Sequence, residues 1–429
     1  MTRICIVGGG SAYMPGIAFA LARASEGFSE ATIVLHDIDA EALELQGGLT
    51  TAILRARGGG DVRVETTLDR PAAIEGADIV LTTFRPGGLR ARHLDERIAI
   101  DHGVVGQETA GPGGFAMALR SIPIVLEICD DVRRVAAPGC TILNYTNPVQ
   151  TVTEAASRYA PDVPFLGLCD QTAGERAFLA RLMGADARDM ELDSCGTNHM
   201  TFTRAVRIGA DDATDAIWAK LDSLQRSEVD GEDWWRVVRL FRMLRHVPSE
   251  YMQYFFFHNE VLAEQRAAGR TRAEEVMALL PAVLETYRRE SRADDPHPSM
   301  VRAGEEHGDF AVSVMAAMIS GEPSRFILNL PNRGQVRELP EDTVVESPAL
   351  VRGSAVEPIP QGTLPREVAG LVRQVAEHAR LTAEAAVVGD PDLAVKAMAI
   401  HPLVHSVELA GSLVRTYLDA HADRLEAFA

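Results

Sequence analysis

Apolar positions in the first 170 residues gather into short β-branched runs at 4–7, 32–35, 78–82, 141–143 and 164–168. Between them, apolar residues recur every three or four positions, as over 15–24 and 40–55. Near-continuous apolar strands imply burial on both faces, the pattern of a parallel sheet covered by helices. The alternation predicts an α/β fold with a Rossmann-type, doubly wound parallel sheet. Beyond residue 190 the pattern changes: helical periodicities at 234–245, 272–289 and 365–388 dominate, with strand-like pieces near 200–206 and 325–328. Two units are therefore expected, a nucleotide-binding sheet domain over 1–190 and a mostly helical α+β domain over 191–429. The Asp-Asp-Pro-His-Pro segment at 294–298 reads as an exposed connection.

Composition narrows the class. With 429 residues the chain exceeds one ordinary core, and 46% apolar with 24% charged residues is normal for a folded protein. A net charge of −19, unbroken by any long basic run, argues against nucleic acid and anionic membranes as partners. No run approaches the ~18 consecutive apolar residues of a membrane-spanning helix. The N-terminus enters a strand pattern directly, without the apolar stretch of a secretion signal. Cys5, Cys129, Cys140, Cys169 and Cys195 are odd in number and form no CxxC pair, which suits a reducing compartment; a cytoplasmic location is expected.

The first strand runs into Gly8-Gly9-Gly10-Ser11 ahead of a helical pattern. Glycines there let the backbone turn tightly and approach a pyrophosphate seated on the helix N-terminus. Gly8 and Gly10 match the first two glycines of G-x-G-x-x-G, while Tyr13 stands at the third. An ordinary strand–helix turn would look the same. Asp37, at the end of the second strand, strengthens the nucleotide reading, because a carboxylate there can bind the adenosine ribose hydroxyls. It favours NAD over NADP, whose 2′-phosphate it would repel.

Further motifs carry chemistry. A glycine-rich loop at 106–114 holds one carboxylate, Glu108, and reads equally as a surface loop. Asn144-Tyr145-Thr146-Asn147-Pro148 follows a buried strand, where Asn144 and Asn147 are placed either to bond ligand hydroxyls or to cap a helix. Gly167-Leu168-Cys169-Asp170 ends another strand, and Gly196-Thr197-Asn198-His199 comes later. A thiolate and an imidazole suit a borderline transition metal and leave positions open for substrate oxygens, although singly each is more often structural. The aromatic segment 247–257 places Tyr251, Tyr254 and Phe255 at i, i+3 and i+4, a shared helical face or a core stripe.

In this order the motifs resemble glycoside hydrolase family 4, which includes 6-phospho-glucosidases, α-glucosidases and α-galacturonidases. The likeness also takes in Asp95-Glu96-Arg97, Gly106-Gln107-Glu108-Thr109, Pro248-Ser249-Glu250-Tyr251, Leu330-Pro331-Asn332-Arg333-Gly334, Gly389-Asp390 and His401-Pro402-Leu403-Val404. The resemblance implies NAD and a divalent metal, usually Mn²⁺, and chemistry outside the two-carboxylate scheme. In the family's scheme NAD takes hydride from sugar C3, a tyrosine removes the C2 proton, the C1 group is eliminated, water adds, and hydride returns.

Carried over by motif, Gly8, Gly10, Ser11, Asp37 and Asn147 would bind the cofactor, and Cys169 and His199 the metal. Tyr251 matches the base, with Tyr254 as the neighbouring alternative. Asp170 matches an acid that α-glycoside members use on the leaving oxygen, and Glu108 would lie near the nicotinamide or the metal's water. Arg85, Asn147, Asn198 and Arg272 would contact sugar or phosphate. Asp170 follows the α-specific branch, whereas 271–276 (Thr-Arg-Ala-Glu-Glu-Val) resembles the phospho-β-glucosidase branch. The expected enzyme hydrolyses a small glycoside with an anionic C6 group, first a 6-phosphoglycoside and otherwise a sulfoquinovoside or uronide, and works as a homodimer or homotetramer. An NAD-dependent sugar dehydrogenase that releases NADH is the alternative of another class, and a catalytically dead NAD-binding regulator a third.

Overall fold

The structure, a computed structural model, describes residues 2–298, 304 and 307–428. Six strands build its parallel half: β1 (Arg3–Val7), β2 (Thr32–His36), β3 (Arg63–Thr67), β4 (Ile79–Thr82), β5 (Thr141–Asn144) and β6 (Phe165–Gly167). Their order is β3-β2-β1-β4-β5-β6, every neighbouring pair parallel. This is the nucleotide-binding order, with its switch point between β1 and β4. β3 was not foreseen. It lies at the sheet edge with no fully buried residue and only one large apolar residue, Val64, so it lacks the buried-strand signature.

The second half continues this sheet. β11 (Ser324–Pro331) joins β6 antiparallel through Asn329 and Gly167. Outward lie β12 (Val344–Arg352), β7 (Met190–Thr197), β8 (Met200–Ile208) and β10 (Val247–Pro248), while β9 (Asp211–Asp212) and β13 (Ala355–Pro358) pair with β8 and β12. Long helices foreseen in this half appear at Glu232–Leu244, Arg272–Glu290 and Ala369–Val388. The connection at 294–298 exposes its charges but buries Pro296 and Pro298; Arg57 anchors it by an ion pair to Asp295 (3.2 Å).

Side chains of β1 alternate between two layers. Cys5 and Val7 pack against the helix Pro112–Val135, and Ile4 and Ile6 against Met14–Arg23 and Asp309–Ser320. Pro112–Val135 is apolar and long enough to cross a bilayer, yet 78% of its most apolar window is buried within the protein, so it serves as a core helix. At its centre Arg120 holds Asp95 through two bonds of 2.9 and 2.6 Å, and His421 and Tyr417 bond the same aspartate. That buried, fully partnered charge pair ties the C-terminal helices to the sheet domain.

Candidate active site

The motifs collect at the carboxyl ends of the parallel strands, the rim on which open α/β sheets bind ligands. After β1, the Gly8 and Gly9 amides donate to the His36 carbonyl at 2.9 and 2.8 Å. Gly8 has φ of +98°, and a Cβ there would fall 2.4 Å from the Thr83 carbonyl oxygen. Only glycine meets both conditions. The Gly10 amide donates to Asp37 Oδ2 (2.9 Å), and Asp37 Oδ1 accepts from the Ile38 and Asp39 amides. Ser11 Oγ accepts from the Tyr13 amide (3.3 Å), closing the turn before the helix. Ile38, beside the acid, is 92% exposed and offers an apolar surface to a base. These residues fit a dinucleotide.

Cys169 and His199 meet. Sγ lies 3.4 Å from Nε2, although the two come from different parts of the chain, the end of β6 and the turn between β7 and β8. His199 occupies that turn with φ of +65°, uncommon for a residue with a side chain. Its Nδ1 lies 3.1 Å from Thr109 Oγ1, whose own hydrogen goes to Gln107 Oε1 at 2.9 Å. Thr109 is thus an acceptor toward His199, the proton sits on Nδ1, and the Nε2 lone pair faces Cys169. Burial lowers the imidazole pKa to about 3 and raises the Cys169 thiol to about 12, Glu346 adding to the latter. One ion bonded to sulfur at about 2.3 Å and nitrogen at about 2.1 Å, the zinc values, can span such a gap. Among the described residues no third His, Cys, Asp or Glu joins them, so a metal here would keep open positions. The donor pair fits a divalent cation.

Tyr251 stacks on His199, ring centroids 3.6 Å apart and 7° from parallel. Burial, followed by the nearby Cys169, pushes its phenol well above the usual value. Tyr254 meets Tyr251 edge-on at 5.8 Å and packs against Ile100, Val105 and Val261. Glu108 pairs with Arg85 (2.5 Å) and Arg92 (3.1 Å), and Arg92 continues to Glu96 (2.7 Å). Burial alone would raise the Glu108 pKa, but the two arginines hold it below the usual range. Asp170 Oδ2 pairs with His307 Nδ1. Asn147 precedes a cis proline, and its Oδ1 is buried without a partner among the described residues. Asn198 Nδ2 donates to Glu346 Oε1 (3.1 Å).

Two expectations shift. Asn144 does not offer its amide to a ligand: Oδ1 accepts from Thr82 Oγ1 (2.8 Å) and Nδ2 donates to the Thr146 carbonyl (3.0 Å). Arg272 is not brought into the cluster within this chain; its side chain is 60% exposed and pairs with Glu275. Conversely, Arg92, Gln107, Thr109, His307 and Glu346 sit in the site without having been singled out. Gln107 and Thr109 flank Glu108 in the sequence and so carried a local signal.

Residues 3–185 match the model of the family 4 glycosyl hydrolases, and residues 194–404 that of the family's C-terminal domain. The chain belongs to glycosyl hydrolase family 4. One family 4 relative, the 6-phospho-beta-glucosidase BglT of Thermotoga maritima, is 31% identical over 98% of this chain and 99% of its own. A structure of the Thermotoga maritima 6-phospho-beta glucosidase with manganese, NAD+ and glucose-6-phosphate superposes with a TM-score of 0.88 at 29% identity, covering 99% of each chain. A 6-phospho-alpha-glucosidase from gut microorganisms, in complex with NAD and glucose-6-phosphate, reaches 0.89 at 26% identity over 98% of each. Family 4 relatives on both sides of the anomeric divide thus share this fold from end to end.

Proposed function

We propose that this glycosyl hydrolase cleaves 6-phosphoglycosides with NAD and a divalent metal, Mn²⁺ first. The observation that carries the reading is the Cys169–His199 pair at 3.4 Å, with Tyr251 stacked on the imidazole at the rim of a nucleotide-binding sheet. Relatives named as 6-phospho-glucosidases and solved with NAD, manganese and glucose-6-phosphate support it.

The N-terminal 190 residues hold NAD, with Gly8, Gly10 and Ser11 at the pyrophosphate, Asp37 on the ribose and Asn147 toward the nicotinamide end. Residues 191–429 complete the substrate and metal site and supply the contacts of a homodimer or homotetramer. When bound, NAD supplies a reversible hydride acceptor at sugar C3, and the metal on Cys169 and His199 supplies charge neutralisation. Tyr251 takes the proton from C2. Asp170 donates to the leaving oxygen at C1. Asn147 and Asn198 orient the sugar hydroxyls. Arg85 gives one amino group to Glu108 and directs remaining guanidinium donors to the C6 phosphate, a match of fixed charge to anion. Arg272 would reach substrate only from another subunit. The free cysteines, Cys5 to Cys195, support a reducing, cytoplasmic setting.

The test is a hydrolysis screen of 6-phospho-, sulfo- and uronic glycosides of both anomers, with and without NAD and Mn²⁺. Turnover of a 6-phosphoglycoside that needs both supports the reading. Preference for a sulfonated or uronic glycoside reassigns the anion. Stoichiometric release of NADH replaces the hydrolase with a dehydrogenase.

A further inference from the structure

Behind the Cys169–His199 pair stands Glu346, the third residue of β12 and fully buried. It faces Gly196 on β7 and Asn329 on β11 in the sheet register. Its Oε1 accepts from Asn329 Nδ2 at 2.9 Å and from Asn198 Nδ2 at 3.1 Å. Asn198, which Glu346 grips, immediately precedes His199 in the turn between β7 and β8, and Glu346 lies near enough to Cys169 for its charge to add to the raised thiol pKa. One carboxyl group therefore holds the residue next to His199 and stands close to Cys169.

The turn it grips needs this support. His199 is held at φ of +65°, a conformation that a residue with a side chain enters at a cost. Burying a carboxyl group in a strand is also unfavourable, and an apolar side chain of the same volume would pack there at less expense. Groups bonded behind metal ligands orient them, and removing such groups weakens metal binding.

We propose that Glu346 is a positioning residue: by hydrogen bonding it fixes the Asn198–His199 turn so that Nε2 and Sγ stay at ligating separation. The inference rests on the reading that this pair holds the metal. Oε1 accepts with or without a proton on the carboxyl group, so bond geometry rather than charge does the work. Glu346→Gln keeps the acceptor at the same reach. Glu346→Asp keeps the charge but withdraws the acceptor by one methylene, and Glu346→Leu removes it.

Manganese dissociation constants of the full-length, NAD-loaded protein, read by electron paramagnetic resonance, test this. The Gln variant binds Mn²⁺ as wild type does, whereas the Asp and Leu variants bind about 10- to 100-fold more weakly. NAD affinity, unchanged in all three, reports that they are folded, and either the Asp or the Leu variant suffices for the comparison. Wild-type Mn²⁺ affinity in a folded Asp or Leu variant overturns the proposal. So does a loss in the Gln variant as large as that in Asp, since keeping the acceptor at the same reach would then not keep the site. If His199→Ala also binds Mn²⁺ like wild type, the pair is not the metal site, and that reading falls together with this one.

Discussion

Asp170 Oδ2 lies 3.0 Å from His307 Nδ1, and the imidazole packs against Tyr13 and Tyr145 with ring centroids 4.6 and 5.6 Å away. The histidine thereby joins the end of β6 to the glycine loop and to the loop after β5. Asp170 is held at one oxygen, while Oδ1 is buried without a partner among the described residues. A carboxyl group so oriented is placed to serve one reacting atom.

If that atom is the leaving oxygen, the loss on removing the acid depends on the leaving group. In Asp170→Asn, kcat/KM on alkyl 6-phosphoglycosides falls by about 10²-fold or more, but by less than about tenfold on p-nitrophenyl substrates, which depart without protonation. Equal losses on both would take Asp170 out of the acid role.

If Tyr251 is the base that the proposed function assigns, Tyr251→Phe removes it while leaving the nucleotide loop untouched. Hydrolysis and the appearance of deuterium at C2 of product formed in D₂O both cease, and NAD titrates as in wild type. Tyr254→Phe keeps both reactions. The opposite pattern in the two variants would move the base by one helical turn.

Asp37 braces three backbone amides, and under the proposed function it would also bond the ribose. Asp37→Ala therefore weakens both cofactors, but NAD more, because NADP is freed from repulsion. The preference for NAD over NADP in calorimetric titrations shrinks by about 10- to 100-fold, the worth of about 1.5–3 kcal/mol for a hydrogen bond to a charged group. An unchanged ratio would exclude Asp37 from the ribose.

Glu175 is fully buried beneath the strands that carry His199, and burial raises its pKa from 4.5 to about 8. The folded state then binds a proton that the unfolded chain releases, so stability present below pH 4.5 is lost progressively as pH rises toward 8. The loss is at most about 5 kcal/mol, at about 1.36 kcal/mol per unit. Glu175→Gln is neutral throughout, so its Tm gains on wild type between pH 5 and pH 9. Parallel Tm curves would show that Glu175 ionises normally.

Local features were legible in the sequence wherever neighbours in the chain decide the structure. The five β-branched runs became β1, β2, β4, β5 and β6, and the glycine loop with Asp37 is built almost entirely from bonds across one strand–turn–strand unit. Edge strand β3 escaped because a strand with no fully buried residue has no need of a continuous apolar run. The strands of the second half are scattered among helices, and their place in the same sheet rests on pairings such as Asn329 with Gly167, far apart in the chain.

The chemistry divides in the same way. Cys169, Asp170, His199 and Tyr251 were recognisable as residue types in family order, because the ends of strands in such a sheet face its ligand rim. That Cys169 and His199 stand 3.4 Å apart, that Thr109 sets the imidazole tautomer, that Arg92 shares Glu108 with Arg85, and that Glu346 and His307 stand behind the site were decided only by the tertiary structure. Hydrogen bonds and ion pairs act over about 3 Å of space and are blind to sequence distance. A single chain reveals its strands through periodicity, but it carries no periodic trace of which distant side chains the fold will bring together.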